Sequence, residues 1–377
     1  MRDFIPLSIP NLAGNELEYV IDAVKTQWVS TGGALINKFE ENLAAFLKTE
    51  QVTALQSGTA GLHLAMILSG VGHEDEIIVP TLTFIAAINP VKYVGAEPIF
   101  MDCDDYLCLD VKKVQEFCEN ECEFIDGKLI NKKTKKHIKA VVAVHVFGNM
   151  VDMENLMKLA KKYNLKVIED ATEAIGTYYK KSGKFAGTIG DFGVYSFNGN
   201  KIMTTGGGGA LVAKDIEMVK KAKYLSTQAK DDEVNFVHNE IGYNYRMTNL
   251  QAALGVAQLE QLNDFIKIKE KNYNLYKKNG LDLLNFDSNL RSNHWFYSLL
   301  TNKRDDLIKF LGENKIQTRP IWTLIHTLKP YQRSQSYKIE KAIEYRKKIV
   351  NIPCSTNLTC EDVLYVIKKI KEQDKIG

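Results

Sequence analysis

The sequence predicts an α/β fold: a large domain with a mixed, mostly parallel sheet flanked by helices, and a smaller α+β C-terminal domain. Three observations predict it. Short apolar runs alternate with helical patterns from about residue 50 to 215, the rhythm of a parallel sheet with crossover helices. Several of the runs are apolar on both faces, which suits strands covered by helices on both sides. A long helical pattern over 248–278 then leads into shorter strand and helix patterns.

The strands are predicted at 52–56, 76–79, 97–101, 139–147, 165–169 and 210–213. Helices are predicted at 58–68, 83–94 and 153–163, each with apolar residues three to four apart. Residues 123–139 break the rhythm. Asp126-Gly127 is a hairpin turn signal, and Lys132-Lys133-Thr134-Lys135-Lys136 reads as a solvated basic face on an inserted surface hairpin. The smaller domain is expected to use 295–301, 304–314, 339–350 and 361–372, with the N-terminal stretch beside it. The division is therefore 15–250 for the large domain and 1–14 with 251–377 for the small one.

Composition excludes several classes. The 377 residues are 45% hydrophobic and 25% charged, ordinary for a globular chain. With 49 basic and 46 acidic residues the net charge is +3, which gives no pull toward nucleic acid or an anionic membrane. No apolar run reaches membrane-spanning length, and the start lacks a signal-peptide core. The six cysteines are scattered. Cys118 and Cys122 have no second Cys or His pair nearby to complete a zinc site, so no metal is expected. The expectation is reduced thiols in a cytoplasmic enzyme.

The chemistry centres on Lys201. It ends Ser196-Phe197-Asn198-Gly199-Asn200-Lys201, runs into Gly206–Gly209, and follows the strand-end acid of Ile168-Glu169-Asp170-Ala171. A lysine placed to form an imine, with a carboxylate placed to hold a pyridinium nitrogen, is the pairing a pyridoxal phosphate enzyme requires. A lysine held against an aromatic cofactor loses hydration, which favours the neutral amine that imine exchange and proton shuttling need. The plainer alternatives are a solvated loop lysine and a helix-capping aspartate.

Ser57-Gly58-Thr59-Ala60-Gly61 follows a strand and opens a helix, where backbone N–H groups and the Thr59 hydroxyl form an anion seat. Gly58 would let the chain approach a phosphate closely; the alternative is an ordinary helix cap. Ser196 would add a hydroxyl, or be satisfied by its own backbone. Phe84, in Thr81-Leu82-Thr83-Phe84, is placed to stack on a pyridine ring or to fill the core.

These segments, with Val144-His145-Val146-Phe147-Gly148 and Gly242-Tyr243-Asn244-Tyr245-Arg246-Met247, occur in one order. Together they resemble the DegT-type nucleotide-sugar aminotransferases, a branch of the fold-type I pyridoxal phosphate enzymes, over nearly the whole chain. The resemblance extends to Trp28-Val29-Ser30-Thr31-Gly32-Gly33 and to Thr318-Arg319-Pro320 with His326. It implies that Lys201 forms the Schiff base and shuttles protons, Asp170 pairs with the pyridine nitrogen, and Phe84 stacks. It further implies phosphate contacts from Gly58, Thr59 and Ser196, and from Asn244 to the neighbouring subunit of a homodimer with shared sites. Thr31 and His326 would line the sugar-nucleotide pocket.

One residue departs from the pattern. Glu173 stands where relatives often carry Gln or His, facing the phenolic oxygen of the cofactor. Two anions there repel, so a protonated, hydrogen-bonding Glu173 is expected.

The implied reaction moves an amino group from L-glutamate to a nucleotide-linked 4-keto-6-deoxyhexose. Residues 317–322 and 353–359 with the hairpin resemble the branch feeding bacillosamine or legionaminic acid, which implies a UDP-linked acetamido sugar. Two relatives of this reading are a sugar 3-dehydratase, in which a His replaces the lysine, and a non-catalytic sugar-nucleotide sensor. Lys201 argues against both. An NAD-linked reading of Gly206–Gly209 lacks the Gly-x-Gly-x-x-Gly spacing, and these glycines precede a strand.

Overall fold

A sheet of ten strands runs through the protein, and its main path is Thr53–Leu55, Gly209–Ala213, Phe192–Ser196, Lys166–Asp170, His137–Val144, Asp75–Pro80, Glu97–Met101 and Ser336–Tyr337. The structure is a computed structural model that describes residues 4–376, with side chains through Gln373. From Phe192–Ser196 to Ser336–Tyr337 every neighbouring pair is parallel; Thr53–Leu55 and Gly209–Ala213 join antiparallel at one edge. The sheet is thus mixed and mostly parallel. Its central strands are buried on both faces, as the uninterrupted apolar runs require: Ile77, Ile78, Val141, Val142 and Ile168 are all inaccessible.

Helices cover it. Gly58–Leu68 begins where Ser57 Oγ accepts the Ala60 N–H at 3.1 Å, and Met153–Tyr163 begins where Asp152 accepts from Asn155. Met153–Tyr163 stops at Asn164, which takes a left-handed conformation. The hairpin forms from Cys122–Ile125 and Lys128–Asn131, and its second strand pairs with the start of His137–Val144.

Two expectations changed. The helix predicted over 83–94 is a 3-10 turn, Ile85–Ala87, followed by a short helix, Asn89–Tyr93. Pro90 explains the break, because proline lacks an N–H and is tolerated only in a first turn. The strand predicted to reach residue 147 ends at Val144; Phe147 then adopts φ +56° in a 3-10 turn. The strand Phe192–Ser196 was absent from the sequence-based strands. Gly193 interrupts its apolar pattern, and a Cβ there would lie 1.8 Å from the Gly187 carbonyl oxygen.

Thr248 and Gln251 form a capping box that starts the 30-residue helix Asn249–Lys278. Beyond it, Tyr297–Leu300, Ile349–Ile352 and Arg319–Pro320 form a three-stranded antiparallel sheet, with Ile349–Ile352 in the middle. Helices Arg304–Glu313 and Cys360–Ile376 pack together beside it. The N-terminal stretch lies against this region: Ile5 N–H donates to Lys315 O and Ile5 O accepts from Gln317 N–H, both at 2.9 Å. The same region is also tied to the large sheet. Asp102, inaccessible, accepts the N–H groups of Glu340, Lys341 and Ala342 at 2.8–3.0 Å and the Lys113 ammonium at 2.7 Å. The division at residue 250 stands as a proposal.

Candidate active site

The carboxyl ends of three parallel strands converge on one cavity of about 490 Å³. Open α/β sheets bind their ligands at this edge, where helix N-termini also point. Asp170 ends one strand and Ser196 the next; Phe84 follows Asp75–Pro80, and the Gly58–Leu68 helix starts beside them. Gly58, Thr59, Phe84, Asp170, Glu173, Ser196 and Lys201 all line this space.

Gly58 is needed by close approach. A Cβ there would lie 2.9 Å from Ser196 Cβ and 3.0 Å from Thr172 Cγ2, so the helix start, Ser196 and Thr172 already touch. Gly209 is tighter still, since a Cβ there would lie 2.4 Å from the Ser57 carbonyl carbon. This explains the end of the Gly206–Gly209 run: the main chain of one strand lies directly against the turn that opens the helix. The resulting cradle has leading helix N–H groups and hydroxyls on Ser57, Thr59 and Ser196, a donor set suited to a phosphate.

The two acids differ in their partners. Asp170 is 3% exposed, and its Oδ1 accepts the Thr172 N–H at 3.0 Å. Burial raises its pKa, opposed by the Thr172 donors and the charge of Lys201. Glu173 Oε2 accepts the Phe147 N–H at 3.0 Å, and its Oε1 lies 3.6 Å from Lys201 Nζ. Burial pushes the Glu173 carboxyl up to about 7, against the pull of Lys201 and the Phe147 N–H.

Behind Asp170 lies a buried brace. His145 N–H donates to the Asp170 carbonyl at 3.0 Å. Its Nδ1 accepts from Val151 N–H, so Nε2 carries a proton and donates to Glu169 at 2.8 Å. Glu169 also accepts N–H groups from Gly187, Ile189 and Gly190, and neither side chain is accessible.

Three residues singled out in the sequence do not line the cavity of this chain. Thr31 is exposed in the bend before the Ala34–Leu47 helix. Asn244 is exposed and bridges Thr227 across the loop that precedes the long helix. His326 is half-buried with Nδ1 2.6 Å from Thr81 Oγ1, and burial lowers its pKa. Conversely, Trp295, Arg319 and Asn351 line the cavity and were not marked for it. For Trp295 the local sequence shows only that an indole N–H needs some acceptor, not which one. Among the described residues no group of three or more His, Cys, Asp or Glu side chains could hold a metal ion. No helix among them is long and apolar enough to cross a membrane.

Comparison with known proteins agrees with this geometry. Residues 10–371 match the DegT/DnrJ/EryC1/StrS aminotransferase family, and the chain belongs to it. GDP-perosamine synthase of Escherichia coli O157:H7 is 38% identical over 376 residues, covering 98% of each chain. GDP-perosamine synthase of Vibrio cholerae is 36% identical, covering 97% of this chain and 98% of the other. Among solved structures, the aminotransferase TlmJ from Streptoalloteichus hindustanus superposes with a TM-score of 0.89 at 25% identity, covering 99% of each chain. The protein is a nucleotide-sugar aminotransferase that depends on pyridoxal phosphate. The residues present fit that cofactor: a phosphate cradle at Gly58, a buried carboxylate for a ring nitrogen, and one lysine in the same cavity.

Proposed function

We propose that this enzyme transfers an amino group from L-glutamate to C4 of a nucleotide-linked 4-keto-6-deoxyhexose, and that the nucleotide is GDP. The observation that carries the reading is full-length similarity to GDP-perosamine synthases around a cavity holding both Lys201 and Asp170. The sequence alone pointed to a UDP-linked acetamido sugar; the named relatives favour guanine. Pyridoxal phosphate supplies an electron sink and carries the amino group between the two substrates.

The chain's own residues would divide the remaining work. Lys201 Nζ takes a proton from the donor carbon and returns one to the sugar carbon. Asp170 holds a proton on the ring nitrogen, Phe84 covers one ring face, and Ser57, Gly58, Thr59 and Ser196 bind the phosphate. Glu173 donates to the phenolic oxygen when protonated. Asn244 would reach the cofactor phosphate of the neighbouring subunit in a homodimer, and Thr31 and His326 would line the sugar-nucleotide pocket. Exposed apolar side chains support that interface: Trp28 is 60% exposed, Phe236 71% and Ile241 86%. The six unpaired cysteines support a reducing, cytoplasmic setting.

The test is incubation with glutamate and GDP-, UDP- and dTDP-linked 4-keto-6-deoxyhexoses, read by mass spectrometry and NMR. A 4-amino sugar from the GDP substrate is expected. Turnover of the UDP sugar alone would reassign the base, and a 3-deoxy product would replace transamination with dehydration.

A further inference from the structure

We propose that Trp295 is a positioning residue for Lys201, gripping both the main chain that precedes the lysine and the ammonium at its tip. The inference rests on the reading of Lys201 as the reactive amine. Trp295 Nε1–H donates to the Asn200 carbonyl at 3.0 Å. The same residue's ring lies beneath Lys201 Nζ, 4.2 Å from the ring centroid. The ammonium is also 3.6 Å from Glu173 Oε1, so the tip is near both a ring face and a carboxyl. Ser8 Oγ donates to the same Asn200 carbonyl at 3.5 Å, from the N-terminal stretch.

Packing alone does not explain this arrangement, because a core tryptophan needs burial and any acceptor for its N–H. Here the acceptor is the carbonyl one residue before Lys201. Trp295 is itself rigidly held. Its ring stacks on Phe296 at 4.1 Å, its backbone N–H donates to Asn293 Oδ1 at 3.0 Å, and its backbone carbonyl accepts from Lys269 Nζ at 2.8 Å. Lys269 is buried, and among the described residues no carboxylate lies within ion-pair distance of it. Its other acceptor is the Cys354 carbonyl at 2.6 Å. A buried ammonium without a counterion is costly, and the two carbonyls it holds give it a reason to be there: it tethers Trp295. The chain of contacts runs from the long helix through Lys269 and Trp295 to Lys201. Proton transfer is sensitive to such placement, since about 1 Å of misplacement can cost ~10²-fold in rate.

The test uses the full chain carrying Trp295→Leu, Trp295→Phe or neither. The first readout needs no substrate: limiting acetic anhydride is added to the cofactor-free chain, and acetylation of Lys201 is measured by peptide mass spectrometry against exposed Lys133. Trp295→Leu should speed Lys201 acetylation about two- to fivefold by freeing the amine from the ring, with Trp295→Phe between it and wild type. The second readout is kinetic. In Trp295→Leu, kcat should fall about 10–100-fold with KM for both substrates within about threefold. In a Lys201→Ala background rescued by a soluble amine, the same substitution should change the rescued rate less than about twofold. Unchanged acetylation in a folded variant, or an undiminished effect in the Lys201→Ala background, overturns the proposal. If Trp295→Leu does not fold by circular dichroism, Trp295→Phe carries both readouts. Acetylation still decides the matter if no nucleotide sugar is aminated, so the two readings fail separately.

Discussion

Replacing Glu173 with Gln should remove a specific pH dependence of stability. The carboxyl is 5% exposed, and its pKa rises from 4.5 to about 7, chiefly through burial. A carboxyl whose pKa is raised on folding binds more protons in the folded state. Its stabilising contribution is therefore complete below about pH 4.5 and lost as pH climbs through about 7. The shift corresponds to on the order of 3 kcal/mol between those limits. Gln keeps an acceptor for the Phe147 N–H and cannot ionise. Thermal midpoints of cofactor-free wild type and Glu173→Gln should thus diverge between pH 5 and 8, the variant gaining by about 3–5 °C. Asp104 is also raised to about 7 by burial, but it is common to both proteins and cancels in the difference. Parallel curves would refute the assignment and leave Glu173 ionised throughout. With pyridoxal phosphate bound, the absorbance titration should also move in Glu173→Gln.

Other substitutions test separate parts of the site. Lys201→Ala should lower turnover by about 10⁴-fold or more while pyridoxamine phosphate affinity, measured calorimetrically, stays within about tenfold of wild type. Gly58→Ala drives a methyl to 2.9 Å from Ser196 Cβ, and overpacking of about 1–3 kcal/mol should weaken pyridoxal phosphate binding about tenfold or more in an absorbance titration. Glu40 is buried, accepts the Ala54 N–H at 2.8 Å, and pairs with buried Arg246 and with Lys223. Glu40→Ala strands the Arg246 charge and should cost about 3–5 kcal/mol in denaturant unfolding.

The parts of the site that lie near one another in sequence, or that repeat a local geometric need, were legible before the structure. Asp170 at a strand end, Lys201 ahead of a glycine run, and Ser57-Gly58-Thr59 at a helix start each announce themselves locally. The parallel sheet was legible for the same reason, since runs such as Val141–Val144 are apolar without alternation. What escaped was contact between distant segments. Trp295 reaches Asn200 only because the long helix returns the chain to the sheet edge, and no local pattern in Asn293-His294-Trp295-Phe296 says so. Arg319 and Asn351 join the cavity through register on neighbouring strands, which pair Arg319 with Asn351 directly. Pro90 shows the opposite failure. Its apolar neighbours continued a helical rhythm that a missing N–H interrupts.

Leu7 and Ser8 form part of the cavity wall together with Asn351, and the Leu7 carbonyl accepts the Cys354 N–H at 2.9 Å. The pocket wall is therefore shared by two segments far apart in the sequence. A chain whose small antiparallel sheet has not docked on the Leu7 stretch would hold the strand-end residues Asp170 and Ser196 without this wall.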